Sequence, residues 1–230
     1  MLSKLIGALG LALCTVISQP AAAMVTVQLS GYIYYQTPDT TSTFVIGQEA
    51  SAWFTFDETA AGETFSPGGV LDPSIRFYRH APTGGGMTIG DYKVTFSEAA
   101  RMFVTNNEAG PNGPIDRILF DDFGAIGDPI AGRNLDVVSI SFQDNTSTVI
   151  DSLDLPTNPA TFAAFKGAKA SLDWNPYLNA AHRISIDFFS VSIIAVPEPT
   201  TWVMMILGIG AVGFAMRRRQ KNVTTTVKFA

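Results

Sequence analysis

The chain is poor in the side chains on which many enzymes and metal proteins depend. Its 230 residues include one cysteine, Cys14, and two histidines, His80 and His182. Because Cys14 lies in the opening apolar stretch, the rest of the chain cannot form a disulfide, a cysteine-ligated zinc site or a cysteine nucleophile. The Gly-x-Ser-x-Gly and His-Glu-x-x-His patterns of many hydrolases and zinc peptidases are also missing. Each histidine is therefore interpreted first as a surface or hydrogen-bonding residue.

Basic residues are scarce between the two ends of the chain. Residues 24–196 contain 19 Asp and Glu against 9 Lys and Arg, whereas the net charge of the whole chain is −5. Nucleic-acid binding needs clustered Lys and Arg to neutralise phosphates, so nucleic acid is not an expected partner. The acidic balance suits a solvated, exported domain or one that binds divalent cations.

The first residues have the composition of a secretory signal peptide. Lys4 is the only charge, an apolar run extends from Leu5 to Ile17, and small residues follow. Ala21 and Ala23 stand at the −3 and −1 positions of an Ala-x-Ala cleavage site. We therefore expect residues 1–23 to be removed, so that the mature chain begins at Met24.

A second apolar run, Thr200 to Met216, lies near the C-terminus and contains no charged residue. As a helix it would be about 25 Å long at about 1.5 Å per residue, just short of a bilayer's hydrocarbon core. Trp202 stands where an interfacial indole would lie. A basic cluster follows at once, formed by Arg217, Arg218, Arg219 and Lys221. The run predicts a transmembrane helix in the inner membrane, with residues 222–230 as a cytoplasmic tail and the body on the opposite side.

The residues around this run carry a family resemblance. Pro197, Glu198 and Pro199 precede Trp202, and the apolar run and basic cluster follow. This order resembles a PEP-CTERM sorting signal over residues 195–221, and is closest to the subclass that starts Pro-Glu-Pro-x-x-Trp-Ala. Val203 stands where that subclass usually has alanine.

The resemblance implies how the protein is exported and processed, but not what chemical activity the body has. Such proteins are exported in Gram-negative bacteria that make extracellular polysaccharide. An exosortase in the membrane is thought to recognise the Pro-Glu-Pro segment and to release or transfer the protein near it. The hydrophobic tail would then be a temporary anchor, as in other C-terminal signals whose tail is discarded. Exosortase and extracellular polysaccharide are the partners implied, and the cell surface or a biofilm matrix is the destination implied.

Residues 24–194 have the pattern of an all-β domain. Short segments rich in β-branched and aromatic residues end at Gly, Pro, Asp or Asn, which favours a single β-sandwich or jelly roll. The strands are predicted at residues 25–35, 51–56, 75–79, 87–96, 115–120, 135–142 and 184–194. One helix is predicted at residues 159–170, surface loops at 62–73 and 106–114, and a glycine turn at Gly84 to Gly86.

Two groups of residues are candidates for a binding site. Asp121, Asp122 and Asp128 lie in a glycine-containing stretch and could supply calcium with oxygen ligands if the chain folds back. Their spacing matches no known calcium repeat, and solvated loop acids are the simpler interpretation. Paired carboxylates could also serve a glycosidase. The second group is Tyr32, Tyr34 and Tyr35, a possible sugar-binding cluster for which core packing of at least one member is the favoured interpretation.

Three hypotheses for the body follow from these patterns. The first is a non-enzymatic exported protein of the cell surface or polysaccharide matrix. The second is a glycan- or calcium-binding module on the same fold. The third is a secreted hydrolase, which needs a carboxylate pair or a serine–histidine contact in a deep pocket.

Overall fold

Alternating apolar and polar residues build a set of antiparallel strands whose apolar sides face one core. The computed structural model describes residues 24–64, 71–156, 158–174, 182–196 and 199–220. The chain divides into two units, Ala23–Val196 and the two chain ends beyond it. The first unit, called the body here, contains every strand of the described residues.

The described residues form twelve strands and two helices. The strands are β1 Met24–Gln36, β2 Glu49–Asp57, β3 Glu63–Thr64, β4 Ile75–Tyr78, β5 Pro82–Ile89, β6 Tyr92–Thr95, β7 Arg101–Gly110, β8 Gly113–Asp122, β9 Ile126–Gly127, β10 Val137–Asp144, β11 Ala168–Asp173 and β12 Arg183–Val196. The helices are α1 Pro159–Ala164 and α2 Pro199–Gln220, and a 3₁₀ turn spans Pro38–Thr40.

All twelve strands belong to one sheet, in the order β3-β4-β7-β8-β10-β11-β12-β1-β2-β5-β6-β9. Each neighbouring pair is antiparallel, and β1 and β12 form the longest pair, from Met24 opposite Val196 to Gln36 opposite Ile184. The all-β prediction is confirmed, but a jelly roll is not shown. Alternation in a sequence reveals that a strand has one buried face, yet it does not say whether the facing layer is a second sheet or the same one.

The sheet curls so that its own inner face closes the core. Phe54 of β2 stacks on Phe120 of β8 with ring centroids 5.0 Å apart, although four strands separate β2 from β8 in the sheet. Phe162 of α1 packs against Phe56 of β2 and Phe142 of β10. The short helix therefore covers the gap between two distant parts of the sheet.

Every predicted strand segment contains a strand in the structure, and one of these segments divides into two strands. The segment 87–96 is a hairpin, because Gly90 has φ +57° and joins β5 to β6. The patterns missed β3, β7, β9 and β11, and the loop predicted at 106–114 is wrong. There the chain forms the β7–β8 hairpin, in which Asn107 at φ 56° sits at a register shift and Gly113 at φ 122° lies next to the turn. Of the loop predicted at 62–73, residues 65–70 lie outside the described residues, and Glu63–Thr64 is a strand.

The predicted helix at 159–170 is too long. Asn158 caps α1 by accepting a hydrogen bond from the Ala160 amide, but the helix ends at Ala164. Lys166 and Gly167 then adopt φ angles of 60° and 137°, and the chain enters β11. A helix cannot continue through two left-handed residues, so the glycine marks its end.

The glycine turn predicted at Gly84 to Gly86 is also wrong. These residues lie inside β5 and pair with Thr55, Phe54 and Trp53 of β2. A Cβ at Gly85 would lie 2.5 Å from the Phe96 ring and 2.6 Å from the Trp53 carbonyl oxygen. Glycine is needed there for close approach, not for a turn.

Candidate functional site

The segment that follows the body begins where the last strand ends. β12 ends at Val196, and α2 begins at Pro199, a favoured residue in the first turn of a helix. Pro197, Glu198 and Lys221 lie outside the described residues, as do Ala21 and Ala23 of the predicted cleavage site. The structure therefore describes Val196 and Pro199, but not Pro197 and Glu198 between them.

The predicted transmembrane segment is helical, but its membrane-spanning role is not confirmed. α2 covers 22 residues and contains Trp202 and the three arginines Arg217, Arg218 and Arg219. Side chains from Ile206 to Phe214 are exposed in its middle. Within the described ranges, no helix combines the length and the apolarity needed to cross a bilayer.

The two ends of the body lie side by side. Met24, the residue after the predicted signal-peptide cut, pairs with Val196, the last described residue before the Pro-Glu-Pro step. Because β1 and β12 are antiparallel neighbours, the start of one strand is at the same end of the sheet as the finish of the other. Both segments that would be removed from this chain therefore connect to adjacent residues of one strand pair.

Asp121 and Asp122, predicted as calcium ligands, do not converge. They are consecutive residues of β8, so their side chains point to opposite faces of the sheet. Asp121 accepts a hydrogen bond of 2.6 Å from the Ser139 hydroxyl on β10. Burial raises the pKa of the Asp121 carboxyl, while Ser139 and the guanidinium groups of Arg101 and Arg117 act in the opposite direction.

Asp122 is already engaged by hydrogen-bond donors. Its carboxylate accepts the amide of Ser97 at 2.6 Å, the hydroxyl of Ser97 at 2.6 Å and the amide of Gly124 at 2.8 Å. These donors occupy the lone pairs that a cation would need. The residue ties the loop after β6 to the end of β8.

Asp128 stands apart from both, on the exposed stretch after β9. Its backbone oxygen accepts a 2.8 Å hydrogen bond from the Tyr92 hydroxyl. In the part of the chain that the structure describes, no group of three or more His, Cys, Asp or Glu is placed to hold a metal ion. The geometry gives the calcium prediction no support.

The two histidines have different surroundings. His80 is exposed in the turn after β4. His182 is buried, and its Nδ1 lies 2.9 Å from Asp39 Oδ2 without the alignment of a hydrogen bond. For the residues described, no serine hydroxyl forms a hydrogen bond with either ring.

The tyrosine cluster is exposed rather than packed in the core. Tyr32, Tyr34 and Tyr35 are 42–48% accessible, so the favoured interpretation, core packing, is wrong. Tyr32 and Tyr34 share the outer face of β1, and Tyr34 lies 5.5 Å from the Lys169 ammonium group. Sequence reasoning missed two further exposed aromatic residues on this face, Trp53 and Phe189. An outward position in β2 could have identified Trp53, but the bulge that exposes Phe189 has no sequence signature.

The comparisons with known proteins identify the C-terminal segment. Residues 195–219 match the family model described as the PEP-CTERM protein-sorting motif. No curated protein and no solved structure matches the chain. The matched range starts in the last residues of β12 and reaches the arginines of α2. This chain therefore carries a PEP-CTERM protein-sorting motif, the signal of an exported protein that is processed by an exosortase.

Proposed function

We propose that the body is delivered to the cell surface or the extracellular polysaccharide matrix, and that it acts there by binding rather than by catalysis. The observation that carries this proposal is the sorting motif at residues 195–219, which follows the last strand of the body directly. The motif supplies the route, and the acidic, strand-rich body is suited to water outside the cell.

The pairing of Met24 with Val196 favours release of an intact body. Removal of residues before Met24 and after Val196 would leave all twelve described strands and the hydrophobic core in place. Processing at both ends would thus cost the sheet none of its described pairings. A body built in this way can lose both terminal segments and remain folded.

The placement of the carboxylates supports a non-catalytic role. A glycosidase needs two carboxyl groups facing one bound sugar. Asp121 and Asp122 face opposite sides of β8, and Asp122 holds three hydrogen bonds from the protein itself. The hydrolase hypothesis is accordingly the weaker alternative.

Replacement of the motif tests the proposed route. We expect a chain with Pro197→Ala, Glu198→Ala and Pro199→Ala to remain with the inner membrane of its native host, with its C-terminus uncut. The matched control is Thr200→Ala with Thr201→Ala, which changes adjacent residues and leaves the motif intact. Immunoblots of membrane, periplasm and medium provide the readout. Equal distribution of the motif variant and the wild type would contradict the proposal.

The calcium alternative has a separate test. A ligand that binds the folded state selectively must raise its melting temperature. We expect the melting temperature of the purified chain to be the same in millimolar calcium and in EDTA, because Asp122 is engaged by Ser97 and Gly124. A rise that disappears in the Asp128→Asn variant would restore a calcium site.

A further inference from the structure

A groove crosses the outer face of the body where β12, β1, β2 and β5 lie side by side. Its volume is about 560 Å³. The lining combines aromatic, hydroxyl and glycine residues with one carboxylate, and it includes Ser30, Tyr32, Glu49, Ser51, Thr88 and Phe189. None of the predicted sites includes this combination.

Aromatic rings form one wall of the groove. Tyr32 and Phe189 lie with their centroids 5.9 Å apart and their planes inclined by 35°. Phe189 is 66% exposed, because it sits at the register shift where Gly31 pairs with Phe188. Gly31 permits this arrangement, since a side chain there would overlap the carbonyl oxygen of Asp187. The pair forms a contiguous exposed apolar surface rather than a single scattered side chain, which is the kind of patch that interaction sites use.

A second aromatic platform lies on the same outer face, beyond the residues that line the groove. Trp53 is 47% exposed and pairs with Gln28 of β1, while Tyr32 lies four residues further along β1. At about 3.4 Å per residue, this spacing separates the two aromatic positions by about 14 Å. Gly86 pairs with Trp53 on the other side, and a Cβ there would lie 3.7 Å from the indole nitrogen. The tighter contact of such a Cβ would be with the Val94 carbonyl oxygen, at 2.7 Å.

Hydroxyl groups form the floor between the two platforms. The strand register aligns Ser190 with Ser30, Ser30 with Ser51, and Ser51 with Thr88. All four side chains are exposed, and none has a hydrogen-bond partner among the described residues. The Glu49 carboxylate adjoins this row, because Glu49 pairs with Tyr32. Three of the four, Ser30, Ser51 and Thr88, line the groove and can donate and accept hydrogen bonds there.

This chemistry matches a sugar polymer better than the alternatives. Flat aromatic faces pack against the C–H faces of sugar rings, while hydroxyls and a carboxylate bond their hydroxyl groups. A protein interface would require a more apolar centre than a row of four hydroxyls. An acidic polymer would be repelled, since residues 24–196 carry 19 Asp and Glu against 9 Lys and Arg. We propose that this groove and the adjoining outer face bind a neutral polysaccharide chain, with the Tyr32–Phe189 pair in the groove and Trp53 beyond it stacking on separate sugar rings.

The inference deepens the proposed function, because it names the class of ligand that the delivered body would contact. Its test is independent of sorting. The full chain is purified in a detergent without a sugar headgroup and run in native gels that contain soluble neutral or uronate-rich polysaccharides. We expect at least one neutral polysaccharide to retard the wild type and the uronate-rich gels to have no effect. We also expect Trp53→Ala and Phe189→Ala to raise the dissociation constant about tenfold, as loss of a stacked aromatic anchor does.

Two further variants make the result specific. Phe123→Ala is the matched control, because Phe123 is an aromatic residue of similar exposure, 49%, that lies over Arg101 instead of the groove. Ser51→Glu places bulk and charge on the floor without removing a core contact, and should abolish the retardation. Circular dichroism establishes that each variant is folded. Failure of every neutral polysaccharide to retard the wild type would overturn the proposal, as would an equal loss in Phe123→Ala. Either result would leave the sorting route standing, since the motif variants test that separately.

Discussion

At the scale of single residues, the carboxylates of β8 show why a run of acids is a poor guide to a cation site. Asp116 and Asp122 lie at the two ends of the inner face of this strand, and both are buried. Each accepts hydrogen bonds from loop amides, so each organises a connection between strands. The sequence displays the carboxylates in a short stretch but not the hydrogen-bond donors that satisfy them, several of which come from residues 18 to 33 positions away. The alternation pattern places Tyr32 and Tyr34 on one face of β1, but it does not say that this face is the outer one.

Asp116 should be the costliest of these carboxylates to remove. It accepts hydrogen bonds from the amides of Asn107, Val149 and Ile150 at 2.9–3.0 Å. We expect Asp116→Ala to lower the free energy of unfolding by about 2–4 kcal/mol, because buried amides would lose their acceptor. The control Asp151→Ala removes an exposed carboxylate and should change the free energy by less than about 0.5 kcal/mol. Urea titrations of both variants provide the measurement, and equal midpoints would contradict this role.

Asp121 should give stability a distinct pH dependence. Burial raises the pKa of its carboxyl in the folded chain above the ordinary value of 3.8. At pH values between the ordinary pKa and the raised folded-state pKa, the folded state holds a proton that the unfolded state has released. The contribution of Asp121 to stability therefore declines as pH rises through this range and is constant above the folded-state pKa. We expect the stability of Asp121→Asn relative to wild type to increase with pH across this window and then level off. A difference that is flat from pH 3 to pH 7 would show that the carboxyl is not perturbed.

At the scale of elements, propensity located the strands but not their partners. β1 and β12 alternate clearly, and the sequence predicted both. β11, with the sequence Ala-Lys-Ala-Ser-Leu-Asp, contains no β-branched or aromatic residue and is a strand because it lies between β10 and β12. Its formation is thus set by tertiary pairing, which overrides local preference. The same holds for the glycines of β5, whose role depends on Phe96 and Trp53 and not on their own φ angles.

The bulge between β1 and β12 supplies a prediction at this scale. A Cβ at Gly31 would overlap backbone atoms of Asp187 and Phe188, which cannot move without breaking the pairing. We expect Gly31→Ala to cost about 1–3 kcal/mol or more in unfolding free energy, as overpacking does. Gly84→Ala is the matched control, because a Cβ there meets no atom within 4 Å and Gly84 does not have a positive φ. Thermal melts of the two variants should differ clearly, and similar melting temperatures would argue against the close approach.

At the scale of the whole molecule, the body and the sorting segment differ in how far their structure and role can be predicted from the sequence. The C-terminal motif could be identified from the sequence because its three parts occur in a fixed order, and the family match at residues 195–219 agrees. The curl of the sheet could not be predicted from the sequence, because it depends on contacts such as that of Phe54 with Phe120, which join residues far apart in the chain. The groove is likewise invisible in the sequence, because four strands contribute to it and their register decides which side chains meet.

The central claim is that the C-terminal segment is a sorting signal that is removed after export. Intact mass and terminal peptide sequencing of the protein from fractionated native cells test it most directly. The account predicts a chain that starts at Met24, ends near residues 197–199 and is found outside the inner membrane. A chain that keeps Arg217 and the residues after it, and that stays in the inner membrane, would contradict the account and make the C-terminus a permanent anchor.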